Sequence, residues 1–173
     1  MGDTRLNQCL SNEITYRIAN PLKRSQIMIG IFDSDNENIK LVSKENYNVY
    51  SFKIDPANIS TELLFSDDEI KTVLDGKRLF IGSEFDSTSK YHLIENFHIG
   101  GKAHTKASNR IIIDKDIYKG NNIACISKEC FAQAIYNGQI QISDASWENF
   151  RHIFEKISEI IDSNQVAGSE NGK

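Results

Sequence analysis

Trp147, Phe150, Phe154, Ile157 and Ile161 step along the chain by three, four, three and four residues. A spacing that alternates three and four is the period of an α-helix, so the run predicts about four helical turns carrying one apolar stripe. Glu148, Arg151, Glu155, Lys156 and Glu159 take the other side. A striped helix must bury its stripe on another layer. The chain before it therefore has to supply that layer, and most of it reads as sheet.

Residues 13–18 alternate, with Ile14, Tyr16 and Ile18 on one face of a predicted strand. Pro21 follows and ends it, because proline cannot join a ladder. Residues 26–32 predict a second strand, Ile27, Ile29 and Ile31 opposing Met28 and Phe32. Short polar residues over 33–38 predict a turn. Residues 39–42 and 47–54 then continue an antiparallel meander, the last strand showing Tyr50, Phe52 and Ile54 on its apolar face.

After residue 60 the period changes. Ser66 with Glu69 three residues on is a capping box, and Ile70, Val73 and Leu74 follow at helical spacing up to a left-handed cap at Gly76. A strand is expected over 77–85. A short helix carrying Tyr91, Ile94 and Phe97 follows from Ser89 to Gly100 and Gly101. Strands over 110–113 and 122–126 flank a turn at 118–121, Ser127 caps a helix that ends at Asn137 and Gly138, and 139–142 is one more strand. Serine-capped helices at Ser66 and Ser127 suggest an internal similarity. The expected fold class is α+β: a mostly antiparallel sheet with an N-terminal meander, two or three short helices, and the C-terminal amphipathic helix packed on it. One domain is expected over residues 1–162, with a sub-boundary near 57–65. Residues 163–173 are polar and expected to be disordered.

Twenty Lys plus Arg against 24 Asp plus Glu leave a net charge of −4. Duplex-DNA binders normally carry a positive excess, because phosphate neutralisation supplies much of their affinity. No run approaches the ~18 apolar residues of a membrane span. Residues 1–12 lack the apolar core of a signal peptide, so a cytoplasmic location is expected. Cys9, Cys125 and Cys130 form no CxxC pair and match no zinc framework. Free thiols are expected, two of them in or near the core.

The most unusual segment is residues 98–110. It holds no acid, repeats a cation every four residues at Lys102, Lys106 and Arg110, sets His104 between them, and opens with Gly100 and Gly101. Exposed backbone amides beside lysines suit a phosphate or carboxylate, although the phosphate-loop spacing is missing. Gly100, Gly101, Lys102, His104, Lys106 and Arg110 are thus the candidate anion-binding residues. His92, His98 and His104 recur every six residues, which places them on no common helix face, and no metal site or cofactor is expected. Asp114 and Asp116 resemble the strand-end acids of metal-dependent nucleases, which would require Asp33 and Asp35 close by. No catalytic residue is assigned.

The segment 140–161, a predicted strand ending in Ile142 and Ser143 followed by a helix with Trp147 near its start, faintly resembles the C-terminal end of single-stranded-DNA-binding transcriptional coactivators. That resemblance implies a DNA-binding role. Trp147 itself reads as a core anchor. The first functional expectation is a small non-catalytic protein that works by protein–protein contact, as a regulator, inhibitor or immunity-type neutraliser. Its acidic segments 33–37 and 67–69 would favour encounter with basic partners. A nucleic-acid or phosphate-ligand binder using residues 98–110 comes second, and a metal-dependent nuclease-like enzyme third. A homodimer is compatible with all three, and no membrane partner is expected.

Overall fold

The structure, a computed structural model, describes residues 3–20 and 26–170, with 165–170 as backbone only. The expected break at Pro21 and the end of the polar tail, 171–173, lie outside the described residues. The elements are α1 (Asp3–Ala19), β1 (Met28–Phe32), β2 (Val49–Lys53), α2 (Asp67–Ile70), β3 (Phe80–Ile81), β4 (His98–Ile99), β5 (Ile112–Ile113), β6 (Ile117–Lys119), β7 (Asn122–Ile123), α3 (Lys128–Tyr136), α4 (Asp144–Glu148) and α5 (Arg151–Glu170). The fold is mixed α+β. It comprises two compact units, one of residues up to Ile59 together with those from Phe150 on, the other Ser60–Asn149. No described helix is long and apolar enough to cross a membrane.

In the first unit the predicted strand over 13–18 is instead part of α1. The alternation of Ile14, Tyr16 and Ile18 misleads, because Tyr16 and Ile18 are exposed. The working stripe is helical: Leu6, Leu10 and Ile14 pack on Phe32 and Val49. A Cβ on Gly30 would lie 2.6 Å from Leu10 Cδ1, so the bare glycine lets α1 close on the strand. Arg17 is 2% exposed. Its guanidinium is satisfied by Glu13 Oε1 at 2.6 Å, by the carbonyls of Tyr47 at 2.8 Å and Asn48 at 3.3 Å, and by that of Gln26.

The expected meander is not there: β1 and β2 pair in parallel, Met28 beside Val49 through Phe32 beside Lys53. No strand forms over 39–42. The connection passes back along α1, burying parts of Ile39, Val42 and Tyr47 in the same cluster. Asn48, at φ 54°, then turns it into β2 from the end where β1 began. A long return of this kind is what parallel pairing requires.

The last helix is also interrupted. Asn149 ends α4, and α5 starts anew at Arg151. The face of α5 that is buried carries Ile153, with Phe150 just before it, while Phe154 is 59% exposed. The covered face is thus rotated from the expected stripe of Phe154 and Ile161. Tyr50 Oη and Asn164 share a hydrogen bond at 2.8 Å, and His152 Nε2 accepts from the Asp55 amide at 3.0 Å. Backbone helix continues through Glu170, across most of the segment that composition marks as tail.

In the second unit the core is Phe80, Phe85, Phe97, Ile99, Ala103, Ala107, Ile113, Ile117, Ala124 and Cys125. Strands β3 and β5 pair antiparallel, as do β4, β6 and β7 in sequence. The capping box at Ser66 and Glu69 is present, but α2 stops at Ile70. Asp75 and Gly76 both have positive φ and form a two-residue turn joining Leu74 to Lys77, so Gly76 serves a hairpin rather than a helix cap. Glu69 also accepts from the Ser143 amide at 2.7 Å and from Ser146 Oγ at 2.5 Å, tying the start of α2 to the start of α4. The predicted helix from Ser89 and the strand over 139–142 do not form, so the two serine-capped units do not match. Among the cysteines only Cys125 is buried, and burial pushes its thiol up. Trp147 is no core anchor: it is 44% exposed and meets the ring of Phe65 edge-on at 5.9 Å.

Candidate functional site

Residues 98–110 fold as β4 followed by a 3-10 turn over Gly101–Lys106, with Ala103 and Ala107 buried beneath it. Gly100 is held by its amide to Asp116 O at 2.7 Å, and a Cβ there would strike the Tyr118 ring at 2.7 Å. Gly101 adopts φ 54°. His104 Nε2 hydrogen bonds with Ile99 O at 2.8 Å, and Lys106 Nζ donates to Ile112 O at 2.8 Å. Arg110 reaches back to Asp67 at 2.8 Å. The Arg110 hydrogen bond, and then its charge together with that of Lys71, outweigh partial burial and lower the Asp67 carboxyl. Of the six candidate anion residues, Lys102 points its charge into solvent, whereas Lys106 and Arg110 are engaged with the protein itself.

Two of the acids of segment 67–69 are likewise occupied. Asp67 holds Arg110. Burial alone would raise Glu69, but hydrogen bonds from Ser143, Ser146 and Ser66 hold it at about 2. Asp114 and Asp116 lie in the turn between β5 and β6, and Asp116 takes φ 62°. Among the described residues no group of three or more His, Cys, Asp or Glu is placed to hold a metal.

A different arrangement stands just upstream, where the helix was expected. Arg78 and Glu84 form a two-pronged ion pair at 2.7 and 3.2 Å. Arg78 lies over the Phe80 ring at 3.8 Å. Burial works to raise the Glu84 carboxyl, but the Arg78 hydrogen bonds, the Ile81 amide at 2.6 Å and His92 outweigh it and hold it low. His92, with 5% of its side chain exposed, sits among Phe85, Phe97 and Phe80 at ring separations of 5.3, 5.8 and 6.4 Å. Its Nδ1 accepts the amides of Ile94 at 3.1 Å and Glu95 at 2.9 Å. The ring proton therefore sits on Nε2, where Glu84 Oε2 accepts it at 3.2 Å.

The outcome is a rigid base under an apolar tip. Leu93 is 65% exposed and Ile94 90%. Their loop is pinned by the His92 ring and by the Leu93 amide, which donates to Glu84 O at 2.8 Å. Beside it runs a row of cross-strand neighbours, Tyr91, His98, Tyr118 and Ile123, paired in turn. Tyr91 contacts His98 at 5.7 Å between ring centres, and His98 stacks on Tyr118 at 5.6 Å. Paired residues on neighbouring strands share a face, and the two ends of this row, Tyr91 and Ile123, are both exposed.

Sequence reasoning missed Arg78, Glu84, Leu93, Ile94 and Tyr118 as functional candidates, and weighed His92 only as a metal ligand. One signal was present: Leu93 and Ile94 stand side by side, and Leu93 falls outside the apolar spacing of Tyr91, Ile94 and Phe97. No match was found for this chain among protein-family models, curated proteins or solved structures, so the geometry alone carries the functional reading.

Proposed function

We propose that this chain is a non-catalytic protein-binding module that seats Leu93 and Ile94 in an apolar pocket of a partner protein, as a regulator, inhibitor or neutraliser does. The observation that carries this is the exposure of both side chains on a loop already fixed by hydrogen bonds. A loop whose backbone is already fixed has less entropy to lose on docking, which is the main advantage of a preorganised interface. The neighbouring Tyr91 extends the surface, and aromatic residues are enriched at such contacts. The test is capture from a cell extract with wild type and with Leu93→Asp plus Ile94→Asp. A partner retained by wild type and lost from the variant is the expected result, with unfolding free energies within about 0.5 kcal/mol of each other, as for other exposed positions. Equal capture by both proteins overturns the reading.

The stack of Tyr91, His98 and Tyr118 favours a second reading, a single-stranded nucleic acid laid on the aromatic row. Base stacking on such platforms contributes about 1–3 kcal/mol per base and tolerates any sequence. A labelled oligonucleotide should then bind at low salt, weaken steeply as salt rises, and lose affinity in Tyr91→Ala. Absence of binding at low salt removes this reading. The metal-dependent nuclease has no such observation in its favour among the described residues.

A further inference from the structure

Resting on the docking reading above, we propose that His92 is a pH latch for that surface: neutral, it holds Leu93, Ile94 and Glu95 in the docking shape, and protonated it releases them, so docking weakens as pH falls. The ring's Nε2 already carries a proton and donates it to Glu84. A second proton can enter only at Nδ1, the atom that accepts the amides of Ile94 and Glu95. Protonation there sets an N–H against two N–H groups, and both loop hydrogen bonds are lost together.

The surroundings decide how that charge is met. Arg78 Nη2 stands 3.5 Å from Nε2 and opposes a cation. Glu84 favours one, but its oxygens are already engaged by both prongs of Arg78 and by the Ile81 amide. Glu95, in the loop itself, reaches Arg78 at 3.8 Å and has its charge directed there. The remaining neighbours are the rings of Phe80, Phe85 and Phe97, which offer an imidazolium no acceptor in the ring plane. The buried ring thus has no second acceptor to exchange for the loop amides, and proton uptake and loop opening become one event.

The experiment is an NMR titration of the full chain from about pH 8 to about pH 4, spanning the range in which histidine side chains ordinarily change charge. A His92 ring that stays neutral throughout overturns the latch. The Ile94 and Glu95 amide resonances are expected to move with the same midpoint as the His92 ring. In His92→Asn, whose carbonyl oxygen can accept the same amides and does not titrate, they should stay fixed. Partner capture by wild type should be about tenfold weaker at the acid end, the loss expected of one or two hydrogen bonds of ordinary net worth. Amides that stay flat while His92 titrates, or that move equally in His92→Asn, overturn the latch. Should that variant not fold, the wild-type titration alone decides. Amides that follow His92 while capture ignores Leu93→Asp plus Ile94→Asp overturn the docking reading and leave the latch. Flat amides with capture that depends on those residues do the reverse.

Discussion

Residues 98–110 concentrate cations, and folding uses them: Lys106 satisfies a backbone carbonyl, Arg110 pairs with Asp67, and the glycines accommodate a tyrosine ring and a left-handed turn. Residues 91–97, immediately before, concentrate apolar side chains, and folding buries Phe97 while leaving Leu93 and Ile94 out. Charge is a poor guide to a binding surface when two of its three cations have a carbonyl or carboxylate within reach. Neighbouring exposed apolar side chains are the better guide, because contiguous apolar surface, unlike single scattered residues, marks interaction sites.

The contrast breaks most severely beneath the apolar loop. Arg78→Ala would leave Glu84 as a buried carboxylate without its cation, a change that ordinarily costs about 3–5 kcal/mol. Chemical denaturation should report a loss of that size, and the Leu93 and Ile94 loop should lose its order with it. A loss below about 1 kcal/mol would mean that the loop stands without the ion pair, and that its exposure is incidental.

Next in size is α5, where two adjacent residues have opposite fates. Ile153 is 6% exposed, so Ile153→Ala should cost about 2–5 kcal/mol. Phe154→Ala, although it removes a larger side chain, should cost less than about 1 kcal/mol, since most of that ring already meets solvent. Equal losses at both positions would show that the helix face is covered after all.

These cases also mark what the sequence can disclose. The caps at Ser66 and Ser127 are legible because donor and acceptor lie three residues apart and form before anything else does. The mixed α+β class and the helical character of the C-terminal segment are legible for the same reason of short-range periodicity. The direction of β1 against β2 is not, because it depends on the path of a long irregular connection. The α1 stripe of Leu6, Leu10 and Ile14 is hidden by Tyr16 and Ile18, which add a competing period of two. Arg78, Glu84 and His92 are separated by six and eight residues with no repeating structure between them, and only the folded turn brings them together.

A smaller effect concerns acid. Glu69 sits at about 2 in the folded chain against an ordinary 4.5. A lowered carboxylate stabilises the fold above its unfolded pKa and loses that contribution as pH falls through the folded value. The melting-temperature advantage of wild type over Glu69→Gln should therefore be full above about pH 5 and shrink steadily toward about pH 2. An advantage that does not change with pH would mean that the carboxylate's charge is irrelevant to the joint between α2 and α4.

The smallest effect tests the basic segment itself. Arg110 and Asp67 keep 55% and 42% of their side chains exposed, and exposed ion pairs contribute about 0–1 kcal/mol. Arg110→Ala should lower stability by no more than that, and the difference should vanish in high salt, where surface charges are screened. Asp67 should meanwhile titrate closer to the ordinary carboxylate range, because its main hydrogen-bond partner is gone while Lys71, at 3.5 Å, remains. The two measurements separate two roles for the segment. A small, salt-sensitive loss with a raised Asp67 means that the cation neutralises a local acid and the buried Ala103 and Ala107 hold the segment in place. A loss well above 1 kcal/mol, insensitive to salt, would mean that the segment is held by its charges, and the contrast with residues 91–97 would then fail.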